Sequence, residues 1–222
     1  MKTVKFFLFF MFIALFASSQ TQNNAVSKKQ NSNEALTSPA SSTFGLIGGF
    51  NFAKGSLAVS GSNISINLGS VTTFSFGTNY SYNFKNCSIQ ESFLLSGKGA
   101  EETGSGNSVS FNMYYLEIPV DFRYHLPIKN GFVFIGAGPY IGYNLGGKVR
   151  TNGISRKLVI GNSNNSDFKP LDFGANLIAG VQLKSGLMFQ IGYDLGMQNI
   201  APQSGTSYKN KVFSVSMGFT LK

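Results

Sequence analysis

Apolar and polar side chains alternate with a period of two residues through most of this chain, and that period constrains the fold more than any other feature. The segment YYLEIPVDFRYH at residues 114–125 shows it clearly. Leu116 and Ile118 fall on one parity, whereas Glu117 and Arg123 fall on the other. Because successive side chains of a β-strand point to opposite faces, the segment is predicted to be a strand with one apolar and one charged face. What covers the apolar face decides the fold.

The same period continues from residue 44 to residue 221, and no amphipathic helix of useful length appears in that region. Most of the strands it predicts are at least as long as the roughly 9–11 residues that a tilted membrane strand needs. The predicted strands cover residues 44–54, 71–84, 88–97, 113–125, 132–144, 171–184, 187–198 and 211–221.

The chemistry of the two faces indicates which of them meets lipid. One parity is almost continuously apolar, and the other consists mainly of Gly, Ser and Asn with a few charges. A sheet face in water normally carries Lys, Glu and Thr, whereas a narrow barrel interior takes small polar residues. Only 12% of the residues are charged, and 14% are aromatic. The third strand is the weakest case, because Glu91 shares the parity of Ile89 and Phe93.

The connections between the predicted strands alternate between short and long without exception. An up-and-down membrane barrel has this alternation because its periplasmic turns are tight and its outer loops are long. The sequence therefore predicts an all-β protein, an eight-stranded antiparallel up-and-down transmembrane β-barrel of the outer membrane. The alternative is a soluble, lipocalin-like barrel that binds an apolar ligand, with its apolar face inside.

The N-terminus has the parts of a secretory signal peptide, namely a basic start, an apolar run and a small-residue end at Ser19. The apolar run, FFLFFMFIALFA, is shorter than the roughly 20 residues of a membrane helix. We predict a signal peptide at residues 1–19, a flexible periplasmic leader at 20–43 and the outer-membrane barrel domain at 44–222. The leader is polar and rich in Asn and Ser, and such a composition cannot bury enough apolar area to fold alone.

Charged residues on the interior parity are the candidate functional residues. Since an unpaired buried charge is costly, we predict a mutually satisfied charge network that fills the interior, with a proton or ion path as the alternative. The predicted network comprises Glu117, Asp121, Arg123, Asp172, Lys184 and Asp194.

No residue pattern in the chain indicates catalysis. His125 is the single histidine and Cys87 the single cysteine, so neither a histidine pair nor a cysteine pair is available to bind a metal. We predict no enzyme activity, no cofactor and no metal site; a barrel enzyme acting on lipid through His125 or Glu117 is the alternative. The basic residues are scattered, which argues against nucleic acid and favours outer-membrane lipids as partners.

Several segments resemble the PorT-like outer-membrane β-barrel family of Bacteroidetes. They include YLEIPVDFRYHLP and GFVFIGAGPYIGYNLGGK, and the most specific parts are LEIP at residues 116–119 and GPY at residues 138–140. The family's third strand has a Glu where this chain has Ser92, and the chain ends in Lys222 rather than an aromatic residue. The resemblance implies an outer-membrane barrel and, from the member that gave the family its name, a part in type IX protein secretion and gliding.

These observations together predict a barrel of structural or interaction type. The interior is expected to be filled, because eight strands leave room for little besides side chains. The predicted outer loops at residues 97–112 and 145–170 would then be the contact surface. Envelope protein partners are expected at these loops or at the periplasmic leader, and the alternative role is an accessory subunit of a type IX-like secretion machinery.

Overall fold

The computed structural model describes residues 41–59, 65–104 and 107–221. The predicted signal peptide and the leader up to residue 40 lie outside the described residues, and the first strand begins at Ser41. No described segment forms a helix long and apolar enough to cross a bilayer. The strands are β1 (Ser41–Val59), β2 (Ser65–Asn67), β3 (Val71–Asn83), β4 (Cys87–Gly104), β5 (Asn107–Ile128), β6 (Gly131–Thr151), β7 (Ile154–Lys157), β8 (Leu171–Leu183), β9 (Leu187–Gly196) and β10 (Thr206–Leu221).

Eight of these strands form a closed antiparallel ring. Neighbours in sequence pair around the ring, and β10 closes it by pairing with β1, from Phe44 opposite Leu221 to Val59 opposite Thr206. The short strands β2 and β7 pair with the ends of β1 and β6. Closure leaves no row of unpaired backbone groups exposed to lipid. The prediction of an eight-stranded up-and-down barrel is confirmed.

The apolar parity faces outward, as the sequence predicted. On β5, the outward Val120 and Phe122 are 39% and 53% exposed. Asp121, which lies between them, and Glu117, earlier on the same strand, are each 2% exposed. Glu91 lies on the outer face, with Ile89 and Phe93 on the same side of β4. The arrangement of a soluble barrel, with its apolar face inside, is therefore not the one that this chain adopts.

The two ends of the barrel differ in their connections. At one end, called the turn end below, residues 84–86, 129–130 and 184–186 make short turns between strands. The opposite end, called the loop end, carries the connections between β1 and β3, β4 and β5, β6 and β8, and β9 and β10. The short turns thus lie together at one end, as predicted, but the lengths of the connections at the loop end differ from the prediction.

The predicted long loops at residues 97–112 and 145–170 are largely hairpins rather than irregular loops. β4 continues to Gly104 and β5 starts at Asn107, so only two residues separate them. β6 continues to Thr151 and turns into β7 through Asn152 and Gly153, whose φ angles of 48° and 86° suit a tight hairpin turn. The loop boundaries predicted from the sequence are corrected accordingly.

The strand extensions at the loop end were predicted as loops because their outer face meets water rather than lipid. The outward side chains of β5 become polar there, at Ser108 and Ser110, while the inward ones, Phe111 and Met113, become apolar. Beyond the bilayer the outer face meets water, so the chain returns to the soluble rule of apolar inside and polar outside. A β-bulge between β5 and β6 near Tyr114 lies where this change occurs.

Candidate functional site

The interior of the barrel contains three layers of side chains from the loop end to the turn end. The first, the cap cluster, consists of Met113, Tyr115, Leu158, Ile200, Ala201 and Tyr208, with partly buried Leu57, Leu68, Phe111, Val149, Ile160 and Phe168. The second, the ion cluster, consists of Lys98, Glu117, Tyr140, Asp172 and Asn210. The third, the floor cluster, consists of Ile47, Phe134, Ile178 and Met188.

Lys98 is the centre of the ion cluster. Its side chain is fully buried and forms an ion pair with Glu117 and a second ion pair with Asp172, at 3.3 Å. Its Nζ also lies 4.1 Å from the ring centroid of Tyr140 and 5.3 Å from that of Tyr115. Two carboxylates and two aromatic rings replace the water that the ammonium group loses on burial.

Asp172 connects strands from opposite sides of the barrel. Its Oδ2 accepts hydrogen bonds from Lys98 Nζ at 3.3 Å, Tyr140 Oη at 3.3 Å and Asn210 Nδ2 at 2.9 Å. These donors lie on β4, β6 and β10, and Asp172 itself lies on β8. With Glu117 on β5, the ion cluster therefore links five strands of the ring across its interior.

A second group of charges lies toward the turn end. Asp194 accepts a hydrogen bond from Asn176, its direct partner on β8. The guanidinium of Arg123 donates a hydrogen bond to Gln90 and lies 3.7 Å from the ring centroid of Phe134 in the floor cluster. Asp121 Oδ1 is buried and accepts no hydrogen bond from any described residue.

A cavity of about 40 Å³ remains among these side chains, and Glu117, Asp121, Asn176, Gln190 and Asp194 are in its lining. Buried side-chain oxygens of Asp121, Asn176 and Gln190 have no hydrogen-bond partner among the described residues. A polar cavity of this size holds a few water molecules, each of which needs about two to four polar partners. The cavity can satisfy these oxygens through water, but it is too small to pass a solute.

The structure brings five of the six predicted interior residues into the barrel and leaves one outside. Glu117, Asp121, Arg123, Asp172 and Asp194 are all buried. Lys184, in contrast, is exposed in the turn between β8 and β9 and does not join them. Lys98 provides the positive charge that was expected from Lys184, and it pairs with Glu117 and Asp172. Lys98 lies one residue beyond the predicted end of its strand.

His125 lies at the turn end, where its Nε2 is 3.0 Å from Ser88 Oγ and its ring stacks on Phe132 at 4.2 Å between centroids. Ser88 is completely buried, so its hydroxyl is closed to a substrate. Among the residues that the structure describes, no three His, Cys, Asp or Glu side chains lie close enough together to hold a metal ion.

A family model decides where the chain belongs. The model described as "Outer membrane protein beta-barrel domain" matches residues 9–201, most of the chain. The chain belongs to this outer-membrane barrel family. No curated protein matches it in sequence. Membership places this barrel protein in the outer membrane, with its turn end toward the periplasm and its loop end outside, as in other barrels of that membrane.

The chain is also similar, at low sequence identity, to solved outer-membrane proteins. Neisserial surface protein A (NspA) is 14% identical, with 82% of this chain and 99% of that chain covered and a TM-score of 0.45. Outer membrane protein W of E. coli is 14% identical, with 81% and 97% covered and a TM-score of 0.42. Ail of Yersinia pestis, solved with the heparin analogue sucrose octasulfate, is 14% identical, with 80% and 99% covered and a TM-score of 0.33.

Proposed function

We propose that this outer-membrane barrel is a structural or interaction protein with a filled interior, and that its loop-end surface is the contact surface. One observation carries the proposal: the cap, ion and floor clusters occupy the interior, and the polar cavity among the charged side chains has a volume of about 40 Å³. A diffusion pore needs a continuous aqueous path, which larger barrels have and eight-stranded ones lack.

The cap cluster organises the loop end into a defined surface. Phe111 of β5, Phe168 of the β7–β8 connection and Tyr208 of β10 meet there, and their ring centroids lie 5.2 to 5.5 Å apart in all three pairs. Aromatic contacts at this spacing add about 0.5–1.5 kcal/mol each beyond the area they bury. Loops held together in this way can present fixed side chains to a partner, which lowers the entropy cost of binding.

The tips of the two loop-end hairpins provide a contact point. Ile154, beside the β6–β7 turn, is 79% exposed, and Val109 on the neighbouring β5 is 37% exposed. Asn152 holds the tips together, since its side chain bonds to Asn107 Oδ1 and to the Ser108 amide, each at 2.9 Å. A rigid apolar tip of this kind suits an envelope protein with an apolar pocket rather than a small polar ligand.

Crosslinking in living cells tests the contact surface. A photoreactive amino acid at Ile154 is expected to form a defined adduct with an envelope protein, and the same amino acid at Lys184, at the turn end, is the control. Adding Val109→Asp to the Ile154 probe is expected to abolish the adduct. The proposal fails if the adduct at position 154 is absent, or if it persists when Val109 is replaced.

Conductance tests the filled interior separately. The purified barrel in a planar bilayer is expected to show no steady ion current, because the side chains of the three clusters fill the interior. We propose accordingly that Lys98, Glu117, Asp121, Arg123, Asp172 and Asp194 form a structural plug rather than a proton or ion path. A steady current that disappears in Asp121→Asn would contradict this and favour the path.

A part in type IX-like secretion is the second candidate, and the resemblance to the PorT-like family supports it. The two most specific segments of the resemblance to the PorT-like family lie side by side, because Pro119 of LEIP is the direct partner of Tyr140 of GPY. Glu117 and Tyr140 from these segments both contact Lys98. Deleting the gene is expected to leave secreted cargo in the periplasm if the chain serves secretion, and normal secretion would exclude this role.

The N-terminal assignments and the absence of catalysis remain part of the proposal. We infer that residues 1–19 are removed on export and that residues 20–40 form a periplasmic leader ahead of β1. N-terminal sequencing of the protein from outer membranes is expected to begin at Gln20. Replacement of His125 or Glu117 is expected to leave the lipid composition of the outer membrane unchanged, whereas loss of a lipid modification would indicate an enzyme.

A further inference from the structure

Two lysines lie directly opposite each other on the outer wall of the barrel. Lys54 on β1 and Lys211 on β10 are register partners, and Lys209 follows on the same face of β10, opposite Ser56. Side chains in directly opposed positions have Cβ atoms about 4.5–5.5 Å apart, and like charges there destabilise a sheet. A nearby anion would offset the repulsion between the two ammonium groups.

Neither lysine forms an ion pair with a described acidic side chain, although the exposed Glu101 of β4 bridges Gly69, next to Ser70. The strands β9, β10, β1 and β3 contain a single acid, Asp194, which points inward and bonds to Asn176. Lys211 Nζ donates a hydrogen bond to the neutral side chain of Asn67, at Oδ1, over 3.3 Å. The positive charge of the pair is therefore left for a molecule outside the protein.

The lysines lie where the lipid-facing apolar band ends. Along β1 the outward side chains Phe50 and Phe52 precede Lys54, and along β10 the outward Val215 and Phe213 precede Lys211 in the same direction. The apolar band of an outer-membrane barrel is about 25 Å tall and is bordered by headgroups. Lys54 and Lys211 thus lie at the headgroup level of the leaflet on the loop side.

A groove of about 390 Å³ lies beside the pair, and its wall combines aromatic and polar groups. Its lining residues are Phe52, Lys54, Ser70, Tyr193, Lys211 and Phe213. Ser70 Oγ is buried and has no hydrogen-bond partner among the described residues, although a buried hydroxyl without a partner is costly. The groove offers an apolar surface next to two cations and one free hydroxyl.

We propose that this groove binds one anionic lipid of the loop-side leaflet. The headgroup phosphate lies between Lys54 and Lys211 and accepts a hydrogen bond from Ser70, and an acyl chain packs against Phe52 and Phe213. The two lysines favour a negatively charged headgroup. The apolar wall of the groove favours a lipid over a free anion, because it can contact an acyl chain. The site is outside the barrel and independent of the filled interior.

Native mass spectrometry of the full-length barrel, released from neutral detergent, tests the proposal. The protein is titrated with phosphatidylglycerol or with zwitterionic phosphatidylcholine, and the single-lipid adduct is counted. The test variants are Lys54→Gln with Lys211→Gln, and Ser70→Ala alone. The matched control is Lys148→Gln with Lys157→Gln, because these lysines are also direct partners but lie on the β6–β7 hairpin, apart from the groove.

The wild type and the control pair are expected to bind one phosphatidylglycerol in preference to phosphatidylcholine. Each lysine near an anionic lipid surface contributes about fivefold to binding, so the Lys54 and Lys211 double variant is expected to bind about 25-fold more weakly. Ser70→Ala is expected to weaken binding several-fold. Excess inorganic phosphate is expected to leave the adduct in place; if it displaces the lipid, the site takes free phosphate and the lipid proposal is wrong.

Equal retention of phosphatidylglycerol by the wild type and the Lys54 and Lys211 double variant would overturn the proposal. An equal loss in the Lys148 and Lys157 control would also overturn it, because net charge alone would then explain binding. The mobility difference between unboiled and boiled samples on a denaturing gel verifies that each variant is a folded barrel.

Discussion

At the scale of single residues, Lys98 shows what parity reasoning can and cannot find. Its position follows the inward parity of Ser92 and Ser96, so extending the predicted strand by one residue would have placed it in the interior. Its partners are a different matter. Glu117 and Asp172 lie on other strands, and nothing local in the sequence indicates that both approach the same ammonium group.

We expect Lys98→Met to destabilise the barrel by about 3–5 kcal/mol, because it leaves two buried carboxylates without their cation. Urea unfolding in lipid vesicles measures the free energy. Lys148→Met, at an exposed position on β6, is the matched control and should change it little. Adding Glu117→Gln and Asp172→Asn to Lys98→Met should recover much of the loss, and no recovery would show that the charges are not its cause.

The loop-end pair of Arg156 and Asp167 predicts a pH dependence. Both terminal guanidinium nitrogens of Arg156 donate to Asp167 at 2.8 Å, and the Val159 amide donates to Asp167 Oδ2 at 2.8 Å. The hydrogen bonds from Arg156 lower the pKa of Asp167; partial burial opposes this shift, and the Val159 amide and the Arg156 charge add to it. The stabilisation is therefore complete above the unfolded pKa of about 3.9 and is lost as pH falls through the lower folded pKa.

An NMR titration of the Val159 amide checks this expectation. Its chemical shift should stay constant from pH 7 to about 4 and change only at lower pH, as Asp167 gains a proton. Asp167→Asn is the control, because its side chain does not titrate. A midpoint at or above the unfolded value of about 3.9 would show that the pair does not stabilise the loop.

At the scale of strands and loops, the sequence predicted the membrane-spanning parts well and the extensions poorly. The alternation of apolar and polar residues predicted the strands and their two faces. Within the bilayer, every strand has lipid on its outer face and packed side chains on its inner face, so the same alternation recurs in each strand. At the loop end the outer face meets water, so Phe111 and Met113 of β5 turn their apolar side chains inward. The alternation of outward apolar and inward polar residues is reversed there, which is why residues 107–112 were predicted to form a loop.

Phe111→Ala is expected to loosen the cap cluster without opening the ring of strands. Phe111 is partly buried and contacts the rings of Phe168 and Tyr208, so we expect a cost close to 3 kcal/mol, the lower end for Phe→Ala. Hydrogen exchange should become faster around residues 158–168 and 200–208 and stay slow in β8 and β9. Phe122→Ala, at a lipid-facing position, is the control and should not change exchange at the loop end.

At the scale of the whole molecule, the sequence could predict the barrel because its closure follows from strand number, alternation and loop order. The sequence could not predict which side chains pack together to fill the interior. The cap cluster assembles side chains from the loop-end parts of several strands and from the connections between them. The floor cluster joins Ile47, Phe134, Ile178 and Met188 from four strands. Packing between residues so distant in sequence leaves no local pattern.

The orientation of the wall, with lipid outside and a filled interior, is the central claim, and single tryptophans test it directly. The chain contains no Trp, so one introduced residue reports alone. Ile191 on β9 is 50% exposed on the outer wall, and its neighbour Gln190 lines the interior cavity. In vesicles of lipid brominated on its acyl chains, the fluorescence of Ile191→Trp should be strongly quenched and that of Gln190→Trp should not. Quenching of Gln190→Trp with Ile191→Trp unaffected would mean that the two faces are reversed and that the barrel described here is wrong.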